Sequence, residues 1–287
     1  IAEAPRVFES PDQIMLVVDR ILAPLGRRLD ESCPIVNARL ANGDRVNAVI
    51  APVAVDGPAV TIRRFTGRIG SLARLVELGS IPSWYATMLS WAVRLRQDVA
   101  VVGGTGSGKT TLLNALSLEI PAGERIVTIE DSAELAFDPS LHVVRLEARG
   151  ASIEGTGAVT IRDLVTNALR MRPDRIVVGE VRGGEAVDML QAMNTGHDGS
   201  LTTLHAGSEH EAVVRLVLMA RLGMDVPASL IEEQVASALD LVVMGKRLAG
   251  GARRVTSASA VGRAPGGTVE LESAPGEGSV FRLRLPL

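Results

Sequence analysis

The spacing of apolar side chains changes period along the chain, and each change marks a part. Between residues 12 and 25, Ile14, Val17, Val18, Ile21 and Leu22 recur with the spacing of one helix face, and Pro24-Leu25-Gly26 closes the run. The period then falls to two. Residues 35–40 and 45–50 alternate around Ala41-Asn42-Gly43-Asp44, where Asn-Gly supplies the positive φ of a tight hairpin turn. With a further strand at 60–65, residues 1–65 are expected to form a small α+β domain. Residues 66–82 read as a linker and a first helix, with Gly67 and Gly70 allowing reorientation; an ordinary surface loop is the other reading of 66–70.

Beyond Leu72 the two periods alternate. Helices are expected at 71–79 and 83–96, a buried strand at Val99-Ala100-Val101-Val102, and a helix over 111–118. Strands follow at 125–130, 142–146, 175–179, 200–204 and 239–244, with helices near 160–171, 184–194, 208–221 and 227–237. This order predicts an α/β fold over 83–256: a doubly wound, RecA-like, mainly parallel sheet with helices on both faces and its ligand at the carboxyl ends of the strands. After Leu248 the text becomes rich in Gly and Pro. Residues 257–287 are expected to be an atypical tail whose stretches 268–272 and 279–285 form a β-hairpin around Pro275-Gly276-Glu277-Gly278.

Composition narrows the picture. Hydrophobic residues make up 46% of 287 and aromatics 2%, so the core rests on Val, Leu, Ala, Ile and Met, which suits a parallel sheet covered by helices. The single Cys33 cannot form an internal disulfide. Thirty basic and 33 acidic side chains give a net charge of −3 and no broad basic field for nucleic acid. Without a secretory n-region or an apolar run near the ~18 residues of a membrane span, the chain is expected to be cytoplasmic.

The chemistry begins at Gly103-Gly104-Thr105-Gly106-Ser107-Gly108-Lys109-Thr110, which fits G-x-x-x-x-G-K-S/T between a strand and a helix. In such a loop, glycines let backbone N–H groups surround phosphate at a helix N-terminus. Gly104 to Gly108, Lys109, Thr110 and Thr111 are therefore the expected nucleotide-binding residues. Lys109 brings a point charge to the outer phosphates, and Thr110 a hydroxyl for Mg²⁺. Turnover needs more: a group to orient water, a metal partner and positive charge. Glu130, ending Ile126-Val127-Thr128-Ile129-Glu130-Asp131, is the candidate base, although both acids could instead cap a turn. Glu180, ending Arg175-Ile176-Val177-Val178-Gly179-Glu180, stands where a Walker B acid holds Mg²⁺; an exposed strand end is the plainer alternative.

His197 and His205 flank the strand at 200–204. With one cysteine and no H-E-x-x-H they lack zinc-ligand company, which leaves hydrogen bonding or phosphate sensing against an ordinary structural role. Arg63 and Arg64 end the last strand of the first domain, where they either reach a phosphate across the domain boundary or sit in solvent. Arg170, Arg172, Arg175 and Arg182 crowd around the Glu180 strand without readable individual roles.

Together these blocks resemble the secretion ATPases of type II and type IV systems over 11–256. The likeness is carried by the P-loop, the acidic box Ile129-Glu130-Asp131, the Walker B stretch from Met171 to Arg182 and the histidine box from Gly196 to His205. Ala192-Met193-Asn194-Thr195-Gly196-His197-Asp198-Gly199-Ser200 looks most like the branch that assembles Flp, or tight-adherence, pili. The resemblance implies a homo-hexameric, Mg²⁺-dependent ATPase, cytoplasmic or peripheral at the inner membrane, acting on a membrane platform protein. It also implies water activation at Glu130, a Walker B role for Glu180, sensing by His205 and phosphate contact by Arg63 and neighbouring Arg64. Against that pattern the N-terminal domain reads as truncated. The tail resembles the last hairpin of a histidine-kinase ATP-binding domain, too short to be that domain. The alternative function is a nucleotide-binding regulatory module without productive turnover; a sensor kinase would need boxes that the chain lacks.

Overall fold

Ser10 starts the first helix by accepting a hydrogen bond at Oγ from the Gln13 N–H, and Pro11 follows at the first helical position, where a missing N–H costs nothing. In the computed structural model, which describes residues 5, 7–64, 70–150, 156–261, 269–274 and 278–283, this helix is α1 (Pro11–Leu22), and a 3₁₀ turn over Ala23–Leu25 ends it. Val18 and Leu22 are its buried residues, while Val17 lies largely outside the core. They pack with Leu29, Val36 and Ala48 against an antiparallel sheet of β1 (Ile35–Arg39), β2 (Arg45–Val49) and β3 (Ala59–Arg63). Gly43 takes φ +90° in the first turn, as Asn-Gly predicts. These elements belong to a compact unit over residues 1–67; a second covers 68–287. The expected linker residues 66–69 lie outside the described residues.

The second unit opens with α2 (Leu72–Glu77) and α3 (Ser83–Arg94). Then come β4 (Val99–Gly103), α4 (Lys109–Ser117), β5 (Arg125–Glu130), β6 (His142–Glu147), α5 (Ile161–Ala168), β7 (Arg175–Val178), α6 (Glu185–Asn194), β8 (Leu201–His205), α7 (Glu209–Gly223), α8 (Ala228–Ala238), β9 (Leu241–Arg247) and β10 (Arg253–Ala260). Seven strands form one sheet in the order β10-β9-β4-β8-β7-β5-β6, parallel except for the β9–β10 pair. Both faces are covered. Val99 and Val101 of β4 pack on the side of α2, α3 and α4, whereas Ala100 and Val102 face the core shared with α5 to α8. Period-two alternation on two buried faces explains why these strands read as continuous apolar runs.

Two features depart from expectation. β10 occupies a stretch read as a change of character, and its Ser257–Ala260 end lies within the expected tail. The glycines at 250 and 251 serve a hairpin, in which Gly251 takes φ +82° and the Leu248 N–H bonds to the Ala252 carbonyl at 2.8 Å. The tail contains the expected hairpin, β11 (Val269–Ala274) paired antiparallel with β12 (Gly278–Leu283) in a separate two-stranded sheet; residues 275–277 of its turn lie outside the described residues.

At the amino ends of the strands, polar groups lock the sheet. The buried Asp98 carboxylate accepts from the Ser200 N–H at 2.7 Å, and Asp240 accepts from the Asp98 N–H at 2.8 Å. Burial pushes the Asp98 pKa up to about 8, with the Asp240 and Asp198 charges adding to the rise and the Ser200 N–H opposing it. Arg175, fully buried, donates to Glu124 at 2.6 Å and to the Val93 and Gly199 carbonyls at 2.8 and 3.1 Å. It joins α3, β7 and the segment before β8.

Candidate nucleotide site

Parallel pairing sets the carboxyl ends of β4, β8, β7 and β5 side by side: Gly103 opposite His205, Val178 opposite Thr202, and Ile129 opposite Val178. On its other side Gly103 faces Gly245 of β9. A Cβ on Gly103 would sit 2.3 Å from the Gly245 carbonyl oxygen and 2.5 Å from Ser107 Oγ, so only glycine lets the chain turn here into the loop. Gly108, at φ +96°, precedes α4 and leaves its amino end without a side-chain cap. An uncapped helix N-terminus beside a curled backbone is an anion site. Gly104, Thr105 and Gly106 are exposed, Ser107 is buried, and Thr110 and Thr111 lie in the first turn of α4.

Lys109 is buried and turns back into the loop, donating from Nζ to the Gly103 and Gly104 carbonyls at 3.0 and 3.1 Å. Nζ also lies 3.5 and 3.4 Å from the two ring nitrogens of His205. Burial lowers the lysine pKa, partly offset by the negative charge of Glu180. His205 is likewise lowered, by burial and then by the Lys109 charge, so its ring is the neutral form at pH 7. Its Nε2 stands 3.0 Å from Glu180 Oε1, a buried oxygen that has no hydrogen-bond partner in the structure. The other oxygen of Glu180 accepts from Arg182 at 2.6 Å, and Arg182 also donates to Asp131 at 3.1 Å. Arg182 thereby ties the acidic box to the Walker B strand.

Glu130 is 3% exposed. Its Oε2 accepts from the Glu134 and Leu135 N–H groups at 2.7 and 2.9 Å, whereas Oε1 is buried without a partner. Burial raises its pKa, and the two N–H bonds oppose the rise. The loop after it is pinned by Arg145, which donates to the Ala133 and Leu135 carbonyls at 3.2 and 2.8 Å, and by Asn114 of α4, which accepts from the Ala136 N–H at 3.1 Å. A Cβ at Gly179 would come within 3.0 Å of Glu130 Cγ, so the small residue before Glu180 makes room for the first acid. Beside the loop is a cavity of about 290 Å³, walled by Leu75, Ser107, Lys109, Leu112 and Val255 among others.

The family model described as "Type II/IV secretion system protein" matches residues 5–267. The chain belongs to that family. As a secretion ATPase it is 39% identical over 265 residues to a putative conjugal transfer protein of Mycobacterium tuberculosis, covering 90% of this chain and 75% of that one. To the type IV secretion system protein PtlH of Bordetella pertussis it is 42% identical over 247 residues, covering 77% and 73%. Among solved structures it is similar to the VirB11 ATPase of the Brucella suis type IV secretion system, at 30% identity and TM-score 0.55, over 86% of this chain and 82% of that one. The match extends beyond Thr256, where the sequence likeness was expected to stop, and takes in all of β10.

In this secretion ATPase, Lys109, Glu130, Glu180 and His205 gather at one end of one sheet. His197 does not join them. It precedes β8, at the amino end of a strand whose carboxyl end carries His205, and its backbone N–H and ring approach the Ala192 carbonyl at the end of α6. Arg63 and Arg64 are exposed at the end of β3, in the first unit. Arg145 and Asn114 went unread because their partners lie 10 to 22 residues away, and the sequence offered no sign for Arg182 beyond its crowded neighbourhood. Magnesium nucleotide suits what the loop and the strand ends offer. Ser107 Oγ, Glu130 Oε1 and Glu180 Oε1 are buried oxygens without hydrogen-bond partners, and a carboxylate oxygen is the kind of hard donor that Mg²⁺ prefers. No group of three or more His, Cys, Asp and Glu able to hold a metal exists among the described residues.

Proposed function

We propose that the chain is the motor subunit of a homo-hexamer that hydrolyses Mg-ATP to drive pilus assembly, in the manner of the Flp branch, or protein secretion, from the cytoplasmic side of an inner-membrane platform. The observation that carries this reading is the pair of half-satisfied carboxylates, the buried Glu130 at the end of β5 and the half-buried Glu180 just past the end of β7, each with one buried oxygen that has no hydrogen-bond partner. In it, the loop N–H groups, the amino end of α4 and Lys109 bind the phosphates, and Lys109 exchanges its own-loop carbonyls for phosphate oxygen. Thr110 and Glu180 would hold Mg²⁺, which when bound neutralises phosphate charge. Glu130 orients water through its free oxygen and takes its proton as the water oxygen bonds to the γ-phosphorus and the bond to the β,γ-bridging oxygen breaks. Neutral His205, next to Lys109 and Glu180, is placed to register loss of the γ-phosphate. Arg63, with Arg64, supplies positive charge from the first unit.

Light scattering with and without Mg-ATP, with phosphate release assayed on the same fractions, tests this. The expected result is a hexamer-sized species whose turnover disappears in Glu130→Gln. A monomer that binds ATP without turnover would overturn the motor and leave a nucleotide-dependent regulatory module.

A further inference from the structure

The apex of the P-loop is held from outside by a hairpin that the motif does not include. Arg253, the first residue of β10, donates from Nε to the Gly106 carbonyl at 2.9 Å, and its Cδ lies 3.2 Å from where a Cβ on Gly108 would be. Arg247, the last residue of β9, brings a guanidinium nitrogen to 3.7 Å from the Cβ position of Gly106. Both arginines thus flank the same glycine, on the exposed stretch of the loop. β10 is braced in turn: its Val255 N–H donates to the Ser80 carbonyl at 3.0 Å, just past α2.

We infer that Arg253 is a positioning residue for the phosphate loop: by holding the Gly106 carbonyl outward, it aims the following N–H into the loop where phosphate binds. A trans peptide points its C=O and N–H in opposite directions, so fixing one fixes the other. The Ser107 N–H accordingly points across the loop and donates to the Gly104 carbonyl at 3.3 Å, the kind of donor that phosphate would claim. Glycines at 103, 104, 106 and 108 make the free loop permissive, and an external clamp on its apex lowers the ordering cost at binding. The inference rests on the P-loop as a nucleotide site, and it does not require turnover.

The test uses the full chain and compares wild type with Arg253→Ala and Arg253→Gln. ADP affinity is measured by calorimetry, pyrophosphate is used as a competitor, and KM and kcat for ATP come from phosphate release. Arg253→Ala should weaken ADP and pyrophosphate alike, by about tenfold, which is about 1.4 kcal/mol. KM should rise similarly while kcat stays within about twofold, and Arg253→Gln, which keeps an N–H donor without charge, should recover most of the loss. Arg253 also borders the cavity beside the loop. A defect confined to ADP with pyrophosphate unaffected would place it on the nucleobase and overturn the inference, as would a fall in kcat at constant KM or unchanged binding. If the wild type binds ADP without hydrolysing ATP, the motor reading fails, and the ADP and pyrophosphate comparison still decides the role of Arg253.

Discussion

Glu130 shows how much one buried atom can decide. With Oε2 committed to two backbone N–H groups and Oε1 without a partner, the carboxylate is oriented but not used up. Glu130→Gln keeps the shape and removes the basicity, so kcat should fall by about 10²–10⁴ while ADP affinity stays within threefold; stopped-flow phosphate release and calorimetry read the two effects separately. At this scale the sequence was informative where chemistry lies in one contiguous string, as in the P-loop, or at the end of an apolar strand, as for Glu130 and Glu180. It was silent on what Arg253 and Arg182 bind. Arg253 reaches Gly106 across 147 positions and Arg182 reaches Asp131 across 51, and no local pattern encodes pairings that only the fold brings together. His197 misled for a related reason: proximity to His205 in sequence is distance along a strand, so the two sit at opposite ends of β8.

Elements in this sheet are fastened at the end away from the nucleotide, and two substitutions probe that fastening. Arg175→Met should strip Glu124 and the Val93 and Gly199 carbonyls of a fully buried donor, costing about 3–5 kcal/mol in urea unfolding with ADP affinity unchanged. Asp98 makes a pH-dependent contribution. Its folded pKa, about 8, lies above the unfolded carboxylate value, so folding takes up a proton between roughly pH 4 and 8 and stability declines across that window as pH rises. Asp98→Asn keeps an acceptor for the Ser200 N–H and should flatten the decline, gaining on the order of 2 kcal/mol at pH 9 in denaturant titrations from pH 5 to 9. The elements themselves were mostly legible, because strands buried on both faces and helices of strong apolar period declare themselves. β10 was not: Arg253-Arg254-Val255-Thr256-Ser257-Ala258-Ser259-Ala260 is an edge strand of small and polar residues, of which Ala258 alone is buried, and its signal is too thin for alternation to show.

For the whole molecule, the chain divides into two compact units, and the residues of the proposed mechanism are found in each, Lys109, Glu130 and Glu180 in one and Arg63 in the other. Arg63→Ala should then lower kcat by about tenfold or more at unchanged ADP affinity, in steady-state phosphate release with saturating ATP; an unchanged kcat would confine catalysis to the second unit. The position of Lys109 bears on the shape of the loop. Its ammonium ties two of the loop's own carbonyls, at Gly103 and Gly104, to the first residue of α4. A loop cross-braced in this way is curled by its own bonds, and an arriving phosphate would trade partners with one side chain instead of shaping a slack strand of glycines.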